Sequence, residues 1–228
     1  MNDTLSSALV FIPALVIAIV FHEVSHGFVA KLLGDPTASE QKRLSLNPLR
    51  HVDLIGTVLL PGMLALTGAP VFGWAKPVPV NKWRLRNPRF GMMAVAAAGP
   101  LSNLILAGIG AVVLGLLVHG MDGAASGGMG LLLAGVQFFI LVNIFLALFN
   151  LLPIPPFDGS HIVEGLLPRP AAELYNRLRP FGFFLVFGLL LVLPIVFPDA
   201  KIIQRVIGPP VDWLATHYMM LAGTIAGK

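Results

Sequence analysis

Long apolar runs, separated by short groups of charged residues or by turns, set the layout of this chain. A helix needs about 20 mostly apolar residues to cross the hydrocarbon core of a bilayer, and several runs reach that length. The first, 5–33, is interrupted only by His22, Glu23, His26 and Lys31. Residues 54–75 contain Pro61, Gly62, Gly68, Pro70 and Gly73, so this run reads as a re-entrant or interfacial segment more than a clean span. Residues 90–121 and 123–157 carry no Asp, Glu, Lys or Arg, and the turn between them centres on Asp122 beside Gly120 and Gly123. That pair predicts an antiparallel helical hairpin. Residues 180–198 form a further span, and 202–227 a possible C-terminal helix. The pattern predicts an all-α polytopic membrane protein: a single domain, 1–228, of four to six transmembrane helices, with a membrane-associated loop or β-hairpin in the 34–89 segment between the first two core helices.

Composition supports the membrane assignment. Only 11% of the 228 residues are charged, less than half the share in soluble domains, so polar side chains are too few to cover a water-facing surface. The absence of cysteine excludes a disulfide framework, a thiolate zinc site and a cysteine nucleophile, and leaves His, Asp and Glu to hold any metal. The net charge of +4 would suggest nucleic acid in a soluble protein; in a membrane protein the placement of basic residues counts instead. Lys31, Lys42, Arg43, Arg50, Lys76, Lys82, Arg84, Arg86 and Arg89 cluster before the second long run, while the N-terminus has none. Loops rich in Lys and Arg stay cytoplasmic, so 34–89 is expected on that side, as is the segment after 157 with Arg169, Arg177 and Arg179. Lys201 and Arg205 fit this orientation less well. No cleavable signal peptide is expected, since a positive n-region is missing and the first apolar run continues through its ionisable residues.

Within that run, His22, Glu23 and His26 form a His-Glu-x-x-His pattern, of which chance would supply on the order of 0.003 copies in a chain of this composition. Ionisable groups inside a span are costly and mark an interior site. Helical positions i and i+4 share a face, so the two imidazoles can hold one Zn²⁺ while Glu23, one step round, reaches a reacting water. The competing reading is a polar cluster satisfied by interhelical hydrogen bonds. Catalytic zinc takes three protein ligands and keeps an open position, so a third ligand is needed. Asp158 and His161 are the candidates, following the run Leu151-Leu152-Pro153-Ile154-Pro155-Pro156-Phe157. Its prolines forbid regular helix, tolerable at membrane depth only inside protein or beside a wet cavity. Asp158 can also serve as N-cap of a short helix over 159–167. Asn150 is either an oxyanion donor or a helix–helix hydrogen-bonding group. His22 and His26 lie seven to eleven residues before the end of the first run, about 10–16 Å along a helix, and the 123–157 run ends on the same side of the membrane.

These residues resemble the site-2 protease family of intramembrane zinc metalloproteases. The resemblance rests on His22, Glu23 and His26, on Asn150-Leu151-Leu152-Pro153-Ile154-Pro155-Pro156-Phe157-Asp158-Gly159, and on Gly99, Pro100 and Asn103. Gly73, Trp74, Ala75, Lys76, Pro77, Val78, Pro79, Val80 and Asn81 resemble the sheet-like membrane-associated element of many bacterial members. Phe157 stands where the family usually has Leu, an apolar exchange, and no PDZ or CBS module accompanies the core. The resemblance implies that His22, His26 and Asp158 bind one zinc ion, that Glu23 is the general base, and that Asn150 helps hold the substrate or its oxyanion. It also implies a multi-pass protein of the cell membrane, acting near the cytoplasmic face on transmembrane protein substrates in regulated intramembrane proteolysis. The competing classes are a metal-ion or proton transporter, which would repeat acidic or His residues through the membrane's full depth, and a catalytically silent membrane assembly subunit. Partners are then the substrate and the lipid bilayer, with no nucleic acid; the oligomeric state is not readable.

Overall fold

Backbone groups without water must bond within their own segment, which makes helix the default in an apolar chain. The computed structural model describes residues 3–67, 73–121, 123, 125–197, 199 and 201–228, and among them no strand occurs. Helix α1 is Asp3–Leu32, followed by the one-turn α2, Thr37–Glu40. A π-helical stretch, Leu54–Leu59, runs into α3, Leu60–Thr67. Then come α4, Pro88–Val118, and α5, Gly127–Asn150, and α6, Asp158–Leu166, and α7, Arg169–Asn176. Helix α8, Gly182–Phe187, continues through a π-helical stretch into α9, Leu193–Val196, and α10 is Ile202–Ala226. Among the described residues, three helices are long and apolar enough to cross a membrane: Ala8–Leu32, Pro88–Val118 and Gly127–Asn150. The hairpin turn expected at Asp122 lies outside the described residues, as do Gly68 and Pro70. The 73–81 segment takes the loop form of the two alternatives.

Two compact units divide the chain. The first comprises α1 up to Ala18, Pro100–Asn150 and Ile202–Lys228. Its packing explains why apolar periodicity alone says little about which face is inside. Along α4, Leu101, Ile105, Ile109 and Leu116 are exposed, while Asn103, Ala107 and Ala111 are fully buried. The large side chains face outward where lipid would lie, and the small ones let helices approach, the reverse of a soluble core. Ile140, Ile144 and Ala222 close this core. Tyr218 donates its hydroxyl hydrogen to the Leu104 carbonyl at 2.9 Å. Asn103 donates to the Ala18 carbonyl at 3.1 Å and to Asn143 Oδ1 at 2.8 Å, so three helices share one buried amide cluster.

The second unit comprises Ile19–Gly99 and Leu151–Lys201. Asn87 starts α4 by accepting the N–H groups of Arg89 and Phe90, with Pro88 at the first helical position, where no intrahelical donor is needed. The loop segments are pinned in a similar way. The N–H of Trp74 bonds the Gly56 carbonyl, and that of Lys76 the His51 carbonyl. Asn81 Oδ1 accepts from Trp83.

Candidate metal centre

Helix α1 sets His22 and His26 one turn apart on the same face, their ring centroids 4.7 Å apart and nearly perpendicular. The chain between α5 and α6 supplies the third group. Residues 151–157 fold as tight turns, with the Ile154 N–H on the Leu152 carbonyl and the Phe157 N–H on Ile154, as three prolines in four positions require. A Cβ on Gly159 would sit 2.5 Å from the Leu152 carbonyl oxygen, so only glycine lets α6 begin against this turn. Asp158 is the first residue of α6, with Phe157 in the cap position. The expected helix over 159–167 is therefore shifted by a residue, and the Asp158 side chain turns toward the imidazoles. Its Oδ2 lies 3.1 Å from His22 Nε2 and 3.3 Å from His26 Nε2. One ligand atom from each of the three residues lies within 4.8 Å of the others.

The proton inventory shows what this arrangement suits. His26 Nδ1 is 2.7 Å from the Val95 carbonyl, a pure acceptor, so Nδ1 carries a hydrogen, which leaves Nε2 as the nitrogen that would offer its lone pair to a metal. Nε2 faces Asp158 Oδ2, a buried oxygen that receives no hydrogen bond among the described residues. Two acceptors this close in a low-dielectric site are compatible with a cation between them. An Nδ1–H held by a backbone carbonyl is also the usual outer support of a metal-binding imidazole. Two His and one carboxylate form a known catalytic zinc set, so the residues present fit that ion.

Five further residues shape the site from outside the triad. Gly99 of α4 lies flat against both rings: a Cβ there would be 2.5 Å from His26 Cε1 and 2.6 Å from His22 Cε1. Gly27, next to His26 on α1, lets the loop chain come close instead: a Cβ there would meet Leu44 at 2.6 Å and Val78 at 2.7 Å. That close approach brings the Val78 N–H to Glu23 Oε2 at 2.8 Å. Asp35, fully buried past the end of α1, accepts the Asn81 N–H at 2.6 Å and the Thr37 N–H and hydroxyl. Burial works to raise the Asp35 pKa, but the bonds from Thr37 and Asn81 and the charge of Arg84 outweigh it and hold the carboxyl below its ordinary value. Arg43 donates to the Lys76 and Pro77 carbonyls. The 76–81 segment is thus fastened at both ends and in the middle. A sequence signal existed for the glycines, since glycine within a helix costs about 1 kcal/mol against alanine and marks a close approach. The Val78 N–H, a backbone group, left none.

His161, the rival ligand, is engaged elsewhere. The Arg179 guanidinium donates to its Nδ1 at 2.9 Å and to Glu164 Oε2 at 2.5 Å. Burial, reinforced by the Arg179 charge, pushes the His161 pKa down to about 4. Asn150, the last residue of α5 and part of the first unit, donates its amide to the Leu146 carbonyl at 3.0 Å.

Comparison with known proteins adds the family. The family model described as "Peptidase family M50" matches residues 117–193. A Bacillus subtilis protein named "Putative zinc metalloprotease YwhC" is 42% identical over 185 residues, 79% of this chain and 79% of that protein. The chain belongs to peptidase family M50. Proteins named "Putative zinc metalloprotease Rip2" from Mycolicibacterium smegmatis and Mycobacterium tuberculosis are 27% and 32% identical over 76% and 78% of the chain. The chain spans just under two thirds of their length, 63% and 64%. No solved structure matches it. M50 is the site-2 protease family, so the resemblance carried by the motif residues holds, and with three spanning helices the chain is a multi-pass membrane protein.

Proposed function

We propose that this chain is a zinc-dependent intramembrane endopeptidase that hydrolyses peptide bonds of transmembrane protein substrates near the cytoplasmic face, in regulated intramembrane proteolysis. The observation that carries this reading is the convergence of His22 Nε2, His26 Nε2 and Asp158 Oδ2, three atoms of metal-ligating type within 4.8 Å of one another. His22, His26 and Asp158 hold one zinc ion. Bound there, zinc supplies Lewis acidity that polarises the scissile carbonyl and makes water nucleophilic near neutral pH. Glu23 takes the proton of the attacking water and hands it to the leaving amine, the two-way role of a carboxylate next to a peptide bond. Its orientation is fixed beforehand by the Val78 N–H. Asn150 steadies the substrate or its oxyanion.

A helical substrate hides its peptide bonds and must unwind before attack. The extended 78–81 segment can then accept the opened strand by edge addition. Of residues 77–80, only Val78 and Val80 carry an N–H, and that of Val78 is committed to Glu23, so Val80 and the carbonyls carry the pairing. The transporter reading draws no support, because the metal-capable groups do not recur along the described spans; one such triad is found among the described residues.

The test is cleavage of a panel of membrane-spanning substrates by purified protein. Glu23→Gln should lower turnover about 10²–10⁴-fold while keeping zinc, and Asp158→Ala should lose zinc as well. Cleavage by Glu23→Gln at the parental rate would overturn the assignment of the base, and zinc retained by Asp158→Ala that of the ligand.

A further inference from the structure

In the second unit, α6 and α7 together with the segment that leads into α4 enclose a depression of about 400 Å³ that plays no part in the chemistry above. Four cations, Lys82, Arg89, Arg169 and Arg179, line it against two carboxylates, Glu164 and Glu173. Two of the cations are already committed. Arg179 is paired with Glu164, and Arg89 donates to the Gly165 and Leu167 carbonyls at the end of α6. Lys82 and Arg169 form no ion pair among the described residues; the Lys82 ammonium lies 5.0 Å over the Trp83 ring.

The position of the depression says which anion it meets. Pro88, Arg89 and Met92, in the first turns of spanning helix α4, form one wall, so the depression opens where that helix leaves the hydrocarbon core. Trp83 is 77% exposed and Phe90 53%, and aromatic side chains at this level mark the interface with the headgroups. Leu166 and Leu174, on the two helices that bound the depression, are also largely exposed, apolar surface beside which acyl chains can lie. Basic pockets at this depth recognise the phosphate of anionic lipids.

We propose that this depression binds the phosphate of an anionic phospholipid headgroup, with Lys82 and Arg169 as the phosphate contacts. Binding of phosphatidylglycerol and of phosphatidylcholine with the same acyl chains would be measured by native mass spectrometry on the purified full chain in detergent. Phosphatidylglycerol should be retained in preference. Each cation near a membrane surface contributes about fivefold, so Lys82→Gln with Arg169→Gln should weaken its binding about 25-fold. Lys31→Gln with Lys76→Gln, the same loss of charge elsewhere, should change it less than twofold. The charge-preserving pair Lys82→Arg and Arg169→Lys should bind like the parent, which separates loss of charge from a folding defect. Equal retention of the two lipids, or a Gln pair that binds like the parent, overturns the proposal. Glycerol 3-phosphate bound as tightly as the lipid would reassign the depression to a soluble phosphate, and an acidic peptide bound in preference to the lipid would reassign it to a protein.

Discussion

Replacing Gly99 by alanine adds one methyl group where the His22 and His26 rings leave no room for it. The new Cβ would sit 2.5 Å from His26 Cε1 and 2.6 Å from both His22 Cε1 and His26 Nε2, whereas carbon atoms in good contact stand about 3.5–4.0 Å apart. One or both rings must retreat by about 1 Å. His26 has little freedom to do so, because the Val95 carbonyl holds its Nδ1 at 2.7 Å. Metal–ligand distances tolerate about 0.2 Å, so the displacement cannot be absorbed within the coordination sphere. Disturbing the outer support of a ligand costs about 10–100-fold in metal affinity, and a 1 Å error in a reacting group costs about 10²-fold in rate. Gly99→Ala should therefore bind zinc 10–100-fold more weakly and, with zinc in excess, cleave about 10²-fold more slowly. Helicity should not fall, since alanine is the better helix former by about 1 kcal/mol. Gly128→Ala, with nothing within 4 Å of the new methyl, is the control. Zinc content would be read by elemental analysis after equilibration in graded zinc buffers, beside circular dichroism. A Gly99→Ala protein with zinc affinity within twofold of the parent would refute the reasoning.

Two further outcomes follow from the same geometry. Because the His161 pKa is down to about 4 in the folded protein and near 6.5 when unfolded, only the unfolded chain takes up this proton between those values; stability is fully present above pH 6.5 and falls toward pH 4. His161→Gln should flatten that part of the pH dependence of thermal unfolding in zinc-saturated protein, and an unchanged slope would count against the buried neutral ring. Asn143→Leu removes the acceptor that Asn103 reaches at 2.8 Å and should cost about 1 kcal/mol, the scale of interhelical hydrogen bonds in membranes; unfolding titrations at parental stability would show the cluster to be dispensable.

The motif on α1 was legible because helical spacing fixes which side chains share a face before any tertiary structure exists. The third member of the cluster was less so. Asp158 and His161 lie three residues apart on one short helix, and spacing cannot say which is aimed at the imidazoles; in the structure the start of α6 turns Asp158 toward them while Arg179 bonds His161. Span limits were blurred for a related reason. The 123–157 run is uniformly apolar, yet the helix stops at Asn150 because the prolines beyond it cannot continue. Lipid-facing stripes were invisible, since Leu101 and Ala107 both count as apolar and size decides which of them faces a neighbouring helix. The Val78 N–H was beyond sequence altogether, as every residue except proline carries one.

That N–H has a consequence for how this enzyme can be re-engineered. The group that orients Glu23 belongs to a peptide between two prolines, and its position depends on Asp35, Arg43 and the contact over Gly27. The 34–81 segment is therefore not a cassette that can be traded between relatives to transplant substrate preference while the chemistry stays constant. A graft that omits any of these fastenings would be scored as a change of specificity when it is a displaced Glu23, and chimaeras with exchanged loops should be judged first on a substrate that both parents cut equally well.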